Sequence, residues 1–194
     1  SAMFRSSAVI VTDTVSPSVG DGRMSWGRGD TLVVVYGDVN MGGSGDTTLD
    51  TALALEIAST ATLTFFEDGG FADEVDTFLT RDMMYVQVQD TDENRNPQQT
   101  DTVSVTGYVG NGVTEGGSGS GLVLDTEVLI LTESGNVSGL MRSGAVSVTD
   151  TAVPAVNDGQ VSWGRSDTAH VTYTDITGTS ETTRRPSQGW PSAP

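Results

Sequence analysis

The segment Asp90-Thr91-Asp92-Glu93-Asn94-Arg95-Asn96 carries oxygen-bearing side chains at alternate positions, and Asp101 follows shortly after. Counting Asp90 as position one, Asp92, Asn94, Asn96 and Asp101 fall at positions three, five, seven and twelve. Ca²⁺ takes about six to eight oxygens at roughly 2.3–2.6 Å, and carboxylates among them offset its charge. Asp90, Asp92, Asn94, Asn96 and Asp101 are therefore candidate metal ligands, with Ca²⁺ as the candidate ion. The spacing is that of an EF-hand loop, but Arg95 stands where that turn needs Gly, and the flanking segments read as strands. An ion at a junction between β modules, of the cadherin kind, suits those flanks better. The alternative is a solvated Asx-turn loop that needs no ion. Asp38, Asn40 and Asp46 form a sparser version of the same loop.

Other chemistry finds little support. The chain has no Cys, which excludes disulfides and thiol catalysis. It has no Lys, which excludes Lys–Asn isopeptide crosslinks. His170 is the only His, and a lone His without Cys cannot build a zinc site. Its strand position is held by Val33 in a repeated segment described below, so no Ser-His-Asp set can be argued. Glu67/Asp68, Asp73/Glu74 and Glu115 could pair as acid and base, but nothing places them across a cleft. Arg28-Gly29-Asp30 spells an integrin tripeptide and equally an ordinary turn before a strand. The run Gly116–Gly121 lacks the Lys and the following helix of a phosphate loop, and reads as a hairpin loop.

The elements that must position these residues are short strands. Residues 8–11, 32–36, 63–66, 85–88, 103–105, 128–131, 145–148 and 171–173 are rich in β-branched and aromatic side chains. Asp21-Gly22, Asp68-Gly69-Gly70, Asn111-Gly112, Ser134-Gly135 and Asp158-Gly159 mark turns between them. The segment Thr51–Ala58 is assigned to a strand rather than a helical turn. Residues 5–38 repeat at 142–175 without a gap, with 21 of 34 positions identical. That is an internal duplication at a period of 137 residues, from Arg5 to Arg142. Thr31–Asp38, Met83–Asp90 and Thr168–Asp175 are each an alternating strand closed by Asp. The expected architecture is all-β: two tandem Ig-like antiparallel β-sandwich modules, at 4–86 and 87–176, with 177–194 as linker or tail. Trp26 and Trp163 occupy equivalent repeat positions, where a ring is expected to fill a core or a junction.

Two stretches carry a family resemblance. Leu131–Ser143 (LTESGNVSGLMRS) resembles a Leu-Thr-Glu-Thr-Gly…Thr-Gly-x-Phe-x-Gly signature, and Val86–Val105 resembles a strand, an Asp-x-Asp-x-Asn loop and an Asp-Thr-Val strand. Both are similar to Ig-like or cadherin-like repeats of very large bacterial and archaeal surface proteins. The resemblance covers residues 81–176 well, whereas 29–80 lacks the Thr-Glu-x-Gly element. It implies an adhesin, sheath or surface-layer protein located outside the cell.

Composition bounds the partners. The net charge is −17, and all nine basic residues are Arg. Such a surface repels polyanions, so nucleic acid is not expected as a partner. No apolar run is long enough to span a bilayer. Ser1-Ala2-Met3 looks like an expression scar, and the natural chain is expected to extend past both ends. The expected function is a non-catalytic structural or adhesive repeat module, with Ca²⁺ as a possible stabiliser. Its expected partners are neighbouring repeats of the same polypeptide, further copies of itself or surface glycans. A carbohydrate-binding module using the Trp residues is the alternative reading.

Overall fold

A computed structural model describes residues 5–38, 46–54, 59–79, 81–111, 122–164, 167–175, 182–183 and 186–188. The Asp38/Asn40/Asp46 loop, residues 55–58, the glycine run and most of the tail lie outside these residues or have undescribed side chains. Among the described residues the fold is all-β, with several sheets compatible with a β-sandwich and no α-helix.

The strands are β1 (Ile10–Thr12), β2 (Arg23–Ser25), β3 (Thr31–Asp38), β4 (Asp46–Leu53), β5 (Thr62–Phe66), β6 (Met83–Gln89) and β7 (Thr102–Asn111). They continue as β8 (Leu122–Glu133), β9 (Leu140–Arg142), β10 (Val146–Thr149), β11 (Gln160–Ser162), β12 (Thr168–Thr174), β13 (Thr182–Thr183) and β14 (Pro186–Gln188). A single 3₁₀ turn, Thr91–Glu93, follows β6. The main sheet runs β11-β10-β6-β9-β8-β7-β12-β13, with β5 pairing β6 and β14 pairing β12. β1–β2 and β3–β4 are separate two-stranded sheets.

One apolar core serves the main sheet, and it draws on residues from Ala61 to Tyr173. Alternation places it. In β6 the side chains of Met84, Val86 and Val88 are buried, and in β12 those of Ala169, Val171 and Tyr173. A pleated strand sends every second side chain to one face, so these period-two patterns form continuous apolar faces. Phe78 packs edge-on against both Phe65 and Trp163, closing one end. The boundary expected between residues 86 and 87 falls inside β6, and residues on both sides of it feed the same core.

Buried carboxylates tie loops to strands. Glu133 is buried at the end of β8 and accepts hydrogen bonds from Ser138 N (2.7 Å), Gly139 N (2.9 Å) and Asp101 N (3.2 Å). Gly139 has φ +57, and a Cβ there would meet Asp90 O at 2.6 Å, so only Gly lets this loop lie on the end of β6. The Leu131–Ser143 motif is thus a backbone clamp built on one Glu and one Gly. Further along β8, Asp125 accepts from Ser162 N (2.7 Å), and Glu127 from Asp158 N (3.0 Å) and Gly159 N (3.1 Å).

The two copies of the repeat fold alike locally. β1 pairs with β2 in parallel, Ile10↔Arg23 to Thr12↔Ser25, and β10 pairs with β11 in parallel, Ser147↔Gln160 to Thr149↔Ser162. Gly27 N bonds Asp30 Oδ2 (2.9 Å), and Gly164 N bonds Asp167 Oδ2 (2.7 Å). Trp26 N bonds Thr12 O (3.0 Å), and Trp163 N bonds Thr149 O (2.7 Å). The surroundings differ: Trp163 is buried in the core, whereas Trp26 is only half-buried.

Candidate metal centre

β6 ends at Gln89, the chain turns through Asp90 into the 3₁₀ segment, and β12 ends beside it at Thr174. This brings Asp90, Asp92 and Asp175 together, all buried, with one carboxylate oxygen from each within 4.8 Å of the others. Oxygens on opposite sides of a Ca²⁺ ion are about 5 Å apart, so one ion can reach all three. The trio contains neither His nor Cys, and an all-carboxylate set suits a hard cation. The cluster could hold a metal ion.

The neighbours of Asp90 define its state. Tyr173 donates its hydroxyl to Asp90 Oδ2 (2.7 Å). Ser59 Oγ lies 3.0 Å from Asp90 Oδ1 and 2.7 Å from Asp92 Oδ1. A hydroxyl has one proton, so it serves only one of these oxygens at a time. Burial first, and then the hydrogen-bonded Asp92 carboxyl, push Asp90 up to about 7, against the bonds from Tyr173 and Ser59. Burial and the bond to Asp90 push the Tyr173 phenol well above its ordinary range, so it remains a donor. A cation bound there would compete with the proton that Asp90 holds.

Next to the cluster, Glu93 is buried and paired with two arginines. Arg28 Nη2 lies 3.1 Å from Glu93 Oε1 and donates to Asp92 O at 2.8 Å, and Arg95 pairs with Glu93 Oε2. Burial raises the Glu93 carboxyl, with Arg95 and then Arg28 opposing it. Arg28 belongs to the first repeat copy, as does Asp13, whose carbonyl accepts Asn94 Nδ2 at 2.9 Å. Gly27 approaches so closely that a Cβ would fall 1.8 Å from Arg95 O. The Asp92–Arg95 turn is therefore a contact between the first copy and the main sheet. Arg28 of the tripeptide is engaged here.

Of the five ligands expected from spacing, Asp90 and Asp92 lie in the cluster. Asn94 donates to Asp13, and Asn96 Oδ1 accepts from Gln98 N at 2.9 Å. Asp101 Oδ2 accepts Arg95 N (2.7 Å) and Asn96 N (2.9 Å), which fixes the loop from its far end. Sequence spacing missed Asp175, Ser59 and Tyr173. A signal for Asp175 existed, because Asp90 and Asp175 both close alternating strands.

A pH dependence follows. An unfolded Asp titrates near about 3.9. Between about pH 4 and 7 the folded chain keeps a proton on Asp90 that the unfolded chain has lost, so stability falls as pH rises. Glu93 and Glu127, both raised first by burial, act in the same direction. Asp68 is lowered, mainly by the backbone N–H of Asp73, and titrates below this window. With a chelator present, the melting temperature should decline from pH 4.5 to pH 7.5, and Asp90→Asn should flatten the decline. A melting temperature rising through that interval in the parent chain would show Asp90 to be ionised throughout.

No protein-family profile and no curated protein sequence matches this chain.

Proposed function

We propose that this chain is a non-catalytic structural or adhesive repeat module, Ig-like in architecture, from a secreted or cell-surface protein, and that Ca²⁺ stabilises it at Asp90, Asp92 and Asp175. The observation that carries this reading is the position of the acidic cluster. Asp90 and Asp92 come from the strand and turn that the first repeat copy touches, and Asp175 ends the second copy. An ion there would fasten the end of the second copy to the turn on which the first copy rests. Calcium is preferred to a transition metal because all three side chains offer oxygen.

The test is direct binding. Calorimetric titration at pH 7 should give one tight Ca²⁺ per chain. It should also show proton release that depends on the buffer's ionisation enthalpy, because Asp90 holds a proton near that pH. Binding without stoichiometry, scaling with salt alone, would reduce the cluster to a polar turn. The carbohydrate-binding alternative needs exposed aromatic rings on one sheet face. Trp163 is unsuited to that role, since it lies in the core against Phe78.

A further inference from the structure

Five residues of the repeat are identical in both copies and differ in what covers them: Val9/Val146, Val11/Val148, Trp26/Trp163, Val34/Val171 and Tyr36/Tyr173. In the second copy Val146, Val148, Val171 and Tyr173 are 4%, 1%, 1% and 2% exposed. In the first copy Val9, Val11, Val34 and Tyr36 are 46%, 49%, 55% and 56% exposed. The backbone does not account for this, because strand ranges agree to within one residue and parallel pairing and turn hydrogen bonds coincide. The difference is the cover. β10 pairs with β6, and β12 pairs with β7 along one edge and β13/β14 along the other. Among the described residues β1 pairs only with β2 and β3 only with β4. β4 follows β3 in the chain and pairs with it antiparallel, so one edge of β3 has no strand partner among the described residues.

We propose that residues 5–54 are the second half of a sandwich, and that their open apolar face and the free edges of β1 and β3 receive a further copy of the segment 59–141, joined ahead of Arg5 as 59–141 is joined ahead of Arg142. The folding unit then runs from about Ser59 to Asp175, out of phase with modules divided at residue 86. The occupant must supply three things that residues 59–141 supply to the second copy. One is an antiparallel partner for β1, as Met83 and Met84 pair with Ser147 and Val146. Another is an antiparallel partner for β3, as residues 106–110 pair with 168–172. The third is an aromatic ring in the position of Phe78 against the Trp. A second intact copy of this chain cannot provide them, because its own 59–141 segment is already filled by 142–175. The inference rests on the repeat and its packing, not on the ion.

The test fuses a second 59–141 segment directly ahead of Arg5 in the full chain and follows amide exchange with and without a chelator. Exchange across residues 31–38 should slow at least about a hundredfold relative to the unfused chain. Val34→Asp with Tyr36→Asp in the fused chain should restore fast exchange there while residues 168–174 stay protected. Unchanged exchange at 31–38 in the fusion would overturn the proposal. So would an unfused chain that is dimeric by light scattering and already protected at 31–38, since a second copy would then be the occupant. Calcium titration of the unfused chain tests the ion separately, so failure of one leaves the other standing.

Discussion

Saturating Ca²⁺ should raise the melting temperature of this chain, equal Mg²⁺ should not match it, and Asp92→Ala or Asp175→Ala should abolish the difference. A ligand confined to the folded state adds RT ln(1 + [L]/Kd), about 2.7 kcal/mol at a hundred times Kd. For a chain of this size that is a rise of roughly 5–10 °C. A net charge of −17 means that any divalent cation relieves some repulsion. Magnesium controls for this, since it screens equally but demands a tight octahedral shell of about 2.1 Å. Asn96→Ala separates two geometries. In a linear EF-hand-like loop Asn96 would be a ligand and its loss would weaken the response. Here its side chain accepts Gln98 N instead, so the calcium shift should survive. Equal shifts with both ions, or an undiminished shift in Asp175→Ala, would leave the cluster without a cation.

Glu133→Ala should strongly destabilise the fold. The buried carboxylate accepts three backbone N–H groups, from Ser138, Gly139 and Asp101, and so fastens two loops to the end of β8. Hydrogen bonds to a charged group contribute about 1.5–3 kcal/mol each, and the abandoned donors regain only part of that from water. A loss of about 3–5 kcal/mol is expected, lowering the melting temperature by roughly 6–20 °C. Glu133→Gln keeps a carbonyl oxygen for the Ser138 and Gly139 amides but turns an NH₂ toward Asp101 N, so it should fall between the two. Thermal melts of the three proteins give the order Glu, Gln, Ala. An Ala variant melting within a degree of the parent would mean that the loops hold without the clamp.

The alternating strands and the 137-residue repeat were legible in the sequence because both are local patterns. Val86 and Val88 in β6, or Val171 and Tyr173 in β12, announce a buried face through period two alone. The cluster was half legible. Asp90 and Asp92 are neighbours in sequence, but Asp175 and Ser59 arrive through the packing of β12 and of the segment before β5; the repeat marks Asp175 as a strand-closing Asp without bringing it to Asp90, and Ser59 carries no such mark. Asp101, the last residue in the EF-hand-like spacing, lies at the far end of the loop, its Oδ2 accepting the amides of Arg95 and Asn96. Least legible was the unequal burial of the two copies. Val34 and Val171 are the same residue in the same local sequence, and only strands from elsewhere in the chain decide which one meets water.

Ser59 and Asp175 bound the unit that holds the core, and both lie at the cluster. The polypeptide therefore enters and leaves this unit at one clasp. Tension arriving through neighbouring segments would act across Ser59, Asp90, Asp92 and Asp175 before it reached the apolar interior. A cation there would carry load much as a covalent crosslink does, shielding the strands behind it while the clasp stays closed. Force resistance would then be set by the calcium concentration of the surroundings, and a chain without Cys or Lys would have a reversible substitute for the bonds those residues form.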